Sequence, residues 1–380
     1  MNKFIVCAIF GCFFSHVWAA PIEVSAGAGA TCALDQIGIA FCWGSNNDGM
    51  LGDGTLSPAK SPVRVHGGGR GHRSISSGSR ACKVDIGGYI HCWGRNDDGQ
   101  FGDPGGPDLL LPVPIMPGSN GFIEVSVART HACAVRGNGG AFCWGVNEAG
   151  SLGSGGPYNE RSTGVAVDID VPLASITSGR AFSCGISFEG DAYCWGKGQY
   201  GRLGNGSQAD KPTPELVALP SGAAQISAGE YHACAVLING SLYCWGYNIQ
   251  GQLGIGNYVQ KLLPTKVTGI PGSVVQLEVG FFHTCAINSF GVVYCWGRND
   301  RGQIGNDAVE NSNFPMAVSG IENASAVSAG ILHTCAVAGG ELYCWGANGD
   351  GALGNGTTTD SATPVRVDLG PYIFVDSFNK

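Results

Sequence analysis

The sequence predicts an all-β protein of seven four-stranded blades packed around one axis, and three observations carry that prediction. The tripeptide Cys-Trp-Gly begins at Cys42, Cys92, Cys143, Cys194, Cys244, Cys295 and Cys344, at spacings of 50, 51, 51, 50, 51 and 49 residues. The 380-residue chain carries 63 glycines and 13% charged residues against 44% apolar ones, a composition of short strands and tight turns rather than of disorder. Each repeat of about 50 residues holds four short strands with their turns. One such unit cannot bury both of its faces, so the copies must pack side by side around an axis.

The chain opens with "MNKFIVCAIFGCFFSHVWAAPIEV", in which Lys3 precedes an apolar stretch from Phe4 to Phe14 and then small residues. That order reads as a secretory signal peptide, residues 1–19, cleaved after Ala19 to leave residues 20–380 as one repeat domain. A rival reading takes "IFGC" as a lipoprotein box with Cys12 acylated, although the apolar segment before it is short for that role. No later stretch approaches the ~20 continuous apolar residues of a membrane-spanning helix. The expected location is therefore secreted or periplasmic, where the remaining cysteines meet oxidising surroundings and disulfides persist. A formal net charge of −8 with no basic run argues against nucleic acid or an anionic membrane surface as the partner.

Within each repeat the Cys-Trp-Gly cysteine is preceded by another: Cys32, Cys82, Cys133, Cys184, Cys234, Cys285 and Cys335. Residues alternate between strand faces, so in "HACAV" His232, Cys234 and Val236 share one face and Ala233 and Ala235 the other. In six repeats the cysteines are ten apart and a glycine follows the first by six: Gly38, Gly88, Gly139, Gly190, Gly240 and Gly291. If the cysteines face one another, three loop residues remain with that glycine last, where such a hairpin needs a left-handed residue. In the seventh repeat the spacing is nine, which leaves the two-residue loop Gly339-Gly340, suited to a type I′ turn. Both spacings give the same facing pair, at a Cα separation of about 4.5–5.5 Å that a disulfide can bridge. Seven intra-hairpin disulfides are predicted, each contributing at most about 2–3 kcal/mol through loop closure.

Downstream of each hairpin lies a glycine-rich loop, as in "NNDGMLGDG", "NEAGSLGSG", "NIQGQLGIG" and "NGDGALGNG", then a proline-containing segment and a β-like run such as "SPVRV", "TPVRV" or "LPTKV". The succession Ser-Ala-Gly, His-x-Cys-Ala-Val and Tyr-Cys-Trp-Gly-x-Asn-x-x-Gly-Gln-Leu-Gly, seen at residues 227–254, resembles the regulator of chromosome condensation repeat family. The resemblance covers essentially all of residues 20–380 and implies a seven-bladed β-propeller. The Trp-Asp ending of WD40 repeats and the double glycine of kelch repeats are not the recurring elements here. Members of the family include a nuclear guanine-nucleotide exchange factor that also binds nucleosomes, scaffolds, a plant ultraviolet-B photoreceptor, and a secreted bacterial inhibitor of β-lactamases. The two chain ends, "PIEVSAG" and "YIFVDSF", look like the same strand type, and one is expected to close the ring beside the blade of the other.

Chemistry in the repeat unit is weighed against plain structure. Structural zinc sites take cysteines two to four residues apart, not ten, so no metal is expected. His131, His232, His283 and His333 recur two residues before the first cysteine where other repeats have Ala30, Arg80 and Phe182; they read as buried histidines bonded to backbone. No cysteine outside residues 1–19 is left over for a nucleophile or redox motif, and no phosphate loop, dinucleotide fingerprint, G-x-S-x-G or H-E-x-x-H occurs. The loop "RNDDGQFGD" lacks the full ligand spacing of a calcium loop and reads as a solvated turn. The repeating tryptophans, Trp43 to Trp345, read as inter-blade core rather than a chromophore array. No catalytic residue and no cofactor is assigned. Sequons at Asn205, Asn239, Asn323 and Asn355 would matter only in a eukaryotic secretory pathway.

Repeat proteins bind through what differs between repeats. The two residues after Ser-Ala-Gly vary sharply: Glu230-Tyr231, Phe281-Phe282, Ile331-Leu332, Arg129-Thr130 and Arg180-Ala181. They fall in the turn between two strands and should line one end of the propeller. Tyr231, Phe281, Phe282, Ile331 and Leu332 would there form an apolar patch across repeats five to seven beside Glu230, or else plug the central channel. The expected function is that of an exported, monomeric, non-enzymatic protein-binding module or scaffold, with inhibition of a secreted or periplasmic protein as one form of it. Two alternatives stay open: guanine-nucleotide exchange on a small GTPase, and an enzyme with residues converging on the axis.

Overall fold

The computed structural model describes residues 21–370 apart from residues 68–70, 98–100, 102–105, 117–118, 157 and 159–160. The described chain forms seven four-stranded antiparallel sheets, each made of four consecutive strands, over residues 21–64, 72–115, 122–166, 173–216, 223–266, 274–317 and 324–367. These are the blades of a propeller, numbered 1 to 7 in chain order. Blade 5 is representative, with strands Ala223–Ala228, His232–Leu237, Leu242–Gly246 and Lys261–Lys266. Two short 3-10 turns, Glu148–Gly150 and Gln199–Gly201, are the only helical segments among the described residues. "PIEVSAG" begins as the innermost strand of its own blade and blade 7 is complete by Val367, while "YIFVDSF" lies outside the described residues. The first and last blades therefore meet face to face, as every other pair does, with no strand exchanged between them among the described residues.

The seven predicted disulfides are present, with Cα atoms 4.0–4.1 Å apart. In blade 5 Cys234 pairs with Cys244 in register, and Gly240 closes the loop at φ 78°. The glycine has a second reason to be there, since its backbone carbonyl accepts the Val274 N–H of blade 6 at 3.0 Å. A Cβ on Gly240 would be driven into Ser273 of the next blade. In blade 7 Gly339 and Gly340 both take positive φ, 59° and 82°, as the type I′ reading requires.

Cores lie between blades rather than within them. One buried cluster gathers Cys234, Leu242, Cys244 and Leu253 of blade 5 with Leu277, Ala286 and Trp296 of blade 6, and equivalent clusters fill all seven junctions. Each cluster holds one fully buried tryptophan from the following blade. Six of these indoles donate to a glycine-loop carbonyl of the preceding blade at 2.8–3.0 Å, Trp296 to Gln252 O among them. The indole packs so closely that a Cβ on Gly254 would sit 2.5 Å from Trp296 Nε1.

The recurring histidine belongs to this junction. His232 Nε2 lies 2.8 Å from Thr284 Oγ1 of blade 6, and Thr284 in turn donates to Gln252 O at 2.8 Å. A hydroxyl has one proton, so the ring must be the donor, through Nε2–H. The same triad joins His131 to Ser183, His283 to Thr334 and His333 to Thr31, the last across the junction of blades 7 and 1. The histidines are structural, as expected, but they bond a side-chain hydroxyl of the next blade and not backbone. Burial drives their pKa down to about 3, or about 4 for His333, so they are neutral.

The innermost strands line a central channel of about 520 Å³. Their inward edges would leave N–H groups unpaired, and hydroxyls of the neighbouring blade cap them: Ser77 N–H donates to Ser25 Oγ, Val127 N–H to Ser76 Oγ, Ser178 N–H to Ser126 Oγ and Val279 N–H to Ser227 Oγ, at 2.8–3.0 Å. That is the role of the serine in Ser-Ala-Gly. Glu23, Glu124 and Glu278 also face the channel, and burial pushes their carboxyls up to about 7, 7 and 8.

Candidate functional site

Each first strand runs toward one end of the channel and turns back after Ser-Ala-Gly, so the variable pair of every repeat gathers at that mouth. The small Ala and Gly residues let the blades approach until backbone touches backbone: Arg180 N–H donates to Gly229 O, Phe281 N–H to Gly330 O and Ile331 N–H to Gly27 O, at 3.1–3.2 Å. The mouth is a depression of about 330 Å³ lined by the first residue of all seven pairs: Ala28, Ser79, Arg129, Arg180, Glu230, Phe281 and Ile331. The second residues, Tyr231, Phe282 and Leu332 among them, lie farther from the axis. Ile331 and Leu332 are half-buried and also border a smaller hollow of about 260 Å³ beside Arg301, Asp350 and Asp360.

On the side of blades 4 to 6 the mouth is flanked by five half-buried rings: Tyr200, Tyr231, Tyr247, Phe281 and Phe282. Tyr231 stands at the centre, stacked on Phe282 at 5.6 Å and edge-on to Tyr200 and Phe281 at 5.8 and 6.1 Å. Beneath them lies Arg202, 1% exposed, with its guanidinium 5.0 Å from the Tyr231 ring and 5.6–5.8 Å from Phe182 and Tyr200. It forms no ion pair among the described residues, although the nearby Glu230 carboxylate favours its charge. Its donors go to the carbonyls of Gln199, Arg180 and Glu230, Nη2 has no partner among the described residues, and burial pushes its pKa down to about 10.

Glu230, 6% exposed, is the one carboxylate in the lining of the mouth. Arg180 Nη1 bonds both its Oε1 and the Tyr231 hydroxyl, the latter at 2.8 Å. Burial raises the Glu230 pKa against the pull of Arg180. Arg129 on the same rim is exposed and forms no ion pair among the described residues.

The structure thus brings Glu230, Tyr231, Phe281 and Phe282 together and sets Ile331 and Leu332 along the rim, but it centres the apolar group on blades 4 to 6. Sequence reasoning missed Tyr200, Tyr247 and Arg202 because they lie in or beside the glycine-rich loops and not in the turn after Ser-Ala-Gly. The signal was there: Tyr200 stands where other repeats have Asp48, Ala149, Gln250, Arg301 and Asp350, and Tyr247 where they have Ser45, Val146, Lys197 and Ala347. No three His, Cys, Asp or Glu side chains gather as a metal site among the described residues. No helix among them is long and apolar enough to cross a membrane.

Residues 82–378 match the RCC1-like domain family, and residues 22–49 match the regulator of chromosome condensation (RCC1) repeat. The chain is similar to the ultraviolet-B receptor UVR8 of Arabidopsis thaliana, 30% identical over 83% of this chain and 74% of that one. It is also similar to the human E3 ubiquitin-protein ligase HERC2, 28% identical over 58% of this chain, a match that spans only 5% of HERC2. Among solved structures, human WBSCR16 superposes with a TM-score of 0.77 at 23% identity, covering 87% of this chain and 93% of that one. Prp20p of Saccharomyces cerevisiae, described with its binding to Gsp1p and histones, also gives 0.77, at 20% identity over 93% and 88% of the two chains. At those identities the superpositions speak for the fold.

Proposed function

Because this chain belongs to the RCC1-like domain family, we propose that it is an exported, non-enzymatic protein-binding module that engages its partner through the channel mouth and the aromatic group beside it. The observation that carries the reading is five contiguous half-buried rings gathered at the end of the propeller where the repeats differ most. Rings held in a fixed array present large area at little entropic cost, which is why aromatic residues and arginine dominate the centres of interfaces. Inhibition of a secreted or periplasmic protein is the form of binding we favour. Export is supported by the leader-like residues 1–19, which lie outside the described residues, and by seven disulfides, which persist in oxidising compartments.

The test is capture from the exported fraction by the wild-type protein and by a Phe281→Ala/Phe282→Ala variant, both checked for intact disulfides and folding. The expected result is a protein retained by the wild type and lost by the variant. Equal retention by both overturns the assignment of the face.

A further inference from the structure

Resting on that reading of the face, we infer that the mouth recognises an acidic side chain lying next to an aromatic one on a projecting loop of the protein partner. The argument is one of charge and shape. The protein as a whole carries a formal charge of −8, yet the rim of the mouth is locally positive. Of the arginines in its lining, Arg129 is exposed with no ion pair among the described residues, Arg180 is about one-third exposed and Arg95 is held by Asp97, while Arg202 lies buried under the neighbouring rings, bonded to carbonyls. Against the three arginines of the lining, Arg95, Arg129 and Arg180, it sets one carboxylate, Glu230, which is already buried and held by Arg180. A neutral or basic side chain entering the depression would leave this excess unmet, whereas a carboxylate would complete it.

The size of the depression points the same way. At about 330 Å³ it lies at the low end of the range for small-molecule sites, and its walls are mostly glycine, alanine and serine, so it admits one or two side chains and no folded element. Phe281 belongs to both the depression and the aromatic group, packing on Phe282 at 4.6 Å and on Tyr231 at 6.1 Å. An acidic residue in the mouth therefore places its chain neighbour over those rings. An aromatic neighbour fits them by edge-to-face contact.

The probes are the dipeptides acetyl-Asp-Phe-amide and acetyl-Asn-Phe-amide, titrated into the full disulfide-bonded protein while the backbone amides of Gly179, Gly229, Gly280 and Gly330 are followed by NMR. The expected result is that the Asp peptide perturbs these amides and binds about threefold to fivefold more tightly than the Asn peptide, the scale of one partly screened ion pair. That difference should shrink in high salt. Arg129→Gln, at an exposed position, should bring the affinity of the Asp peptide down to that of the Asn peptide, and Phe281→Ala/Phe282→Ala should weaken both peptides. Equal affinities for the two peptides, perturbations confined to other surfaces, or an undiminished Asp preference in Arg129→Gln overturn the inference. If the peptides bind equally while the double variant still loses the captured protein, the acidic-residue inference falls and the binding-face reading stands.

Discussion

Acidification should pull this molecule in two directions at once, and removing the channel carboxylates should expose one of them. The four junction histidines have pKa values near 3 to 4 in the fold against 6.5 when exposed. A group with a depressed folded pKa stabilises fully above its unfolded pKa and loses that contribution as pH falls toward the folded value. Between about pH 7.5 and about pH 5.5 each histidine should therefore lose roughly 1–1.5 kcal/mol of stability, about 5 kcal/mol for the four. Glu23, Glu124 and Glu278, raised to about 7, 7 and 8 from 4.5, behave oppositely: the folded state binds protons the unfolded state does not, so acidification over the same window stabilises. That contribution is about 2 kcal/mol each and about 6 kcal/mol together. His91, with a lowered pKa, adds to the first effect, and Glu230, Asp35 and Asp48, all raised, add to the second. The wild type should thus show little change in urea midpoint across the window. A Glu23→Gln/Glu124→Gln/Glu278→Gln variant, which keeps neutral side chains of the same shape, should lose several kcal/mol more than the wild type on acidification. Parallel pH profiles for the two proteins would show that water in the channel solvates the carboxyls fully, and would refute the reasoning.

Thr284→Val removes the acceptor of His232 Nε2–H in a site with no solvent and should cost about 1–3 kcal/mol in urea unfolding, with loss of the slowly exchanging imidazole proton in NMR. A cost near zero would mean that the triad contributes nothing beyond packing. The pair Cys234→Ala/Cys244→Ala should lower stability by about 2–3 kcal/mol yet leave a folded ring, whereas reduction of all seven bonds should exceed the ~5–15 kcal/mol typical of a whole domain and unfold it. Circular dichroism under graded reductant reads both outcomes, and a native spectrum after complete reduction would contradict the second. Gly254→Ala, at φ 68° and against the Trp296 indole, should cost about 4 kcal/mol or more, while Gly339→Asn, at φ 59° with nothing within 4 Å, should cost less than about 1 kcal/mol. Similar melting temperatures for these two variants would undo the distinction between a left-handed turn and a close inter-blade approach.

Much of this fold was legible because it is written seven times. A spacing of nine instead of ten in one repeat, matched by Gly339-Gly340, settled the hairpin register better than any single copy could. What the sequence does not expose is the neighbour across a blade junction. Thr284 and His232 are 52 residues apart, and nothing in a strand pattern says that a hydroxyl in one repeat receives a histidine proton from the one before. Strand alternation alone therefore points to backbone as the histidine's partner. The candidate site was half legible for a related reason: variation after Ser-Ala-Gly marks one part of it, but Tyr200, Tyr247 and Arg202 reach the same mouth from loops whose constant glycines and leucines mask the variation between them.

Six of the seven junctions are wired in the same sense, with the tryptophan of one blade addressing a carbonyl of the blade before, and the contact of Thr31 and Trp43 with blade 7 repeats it. A linear stack of repeats has two outer faces that need special caps, but this circuit has none, and its chain breaks at a place no different in packing from the other six junctions. First strands run toward the mouth and fourth strands away from it, so residues 21 and 367 both lie at the far end. The order in which the blades are synthesised is thereby separable from the object they form: a circular permutant opened between any two blades, with its original ends bridged at that far rim, carries the same set of contacts and an undisturbed mouth.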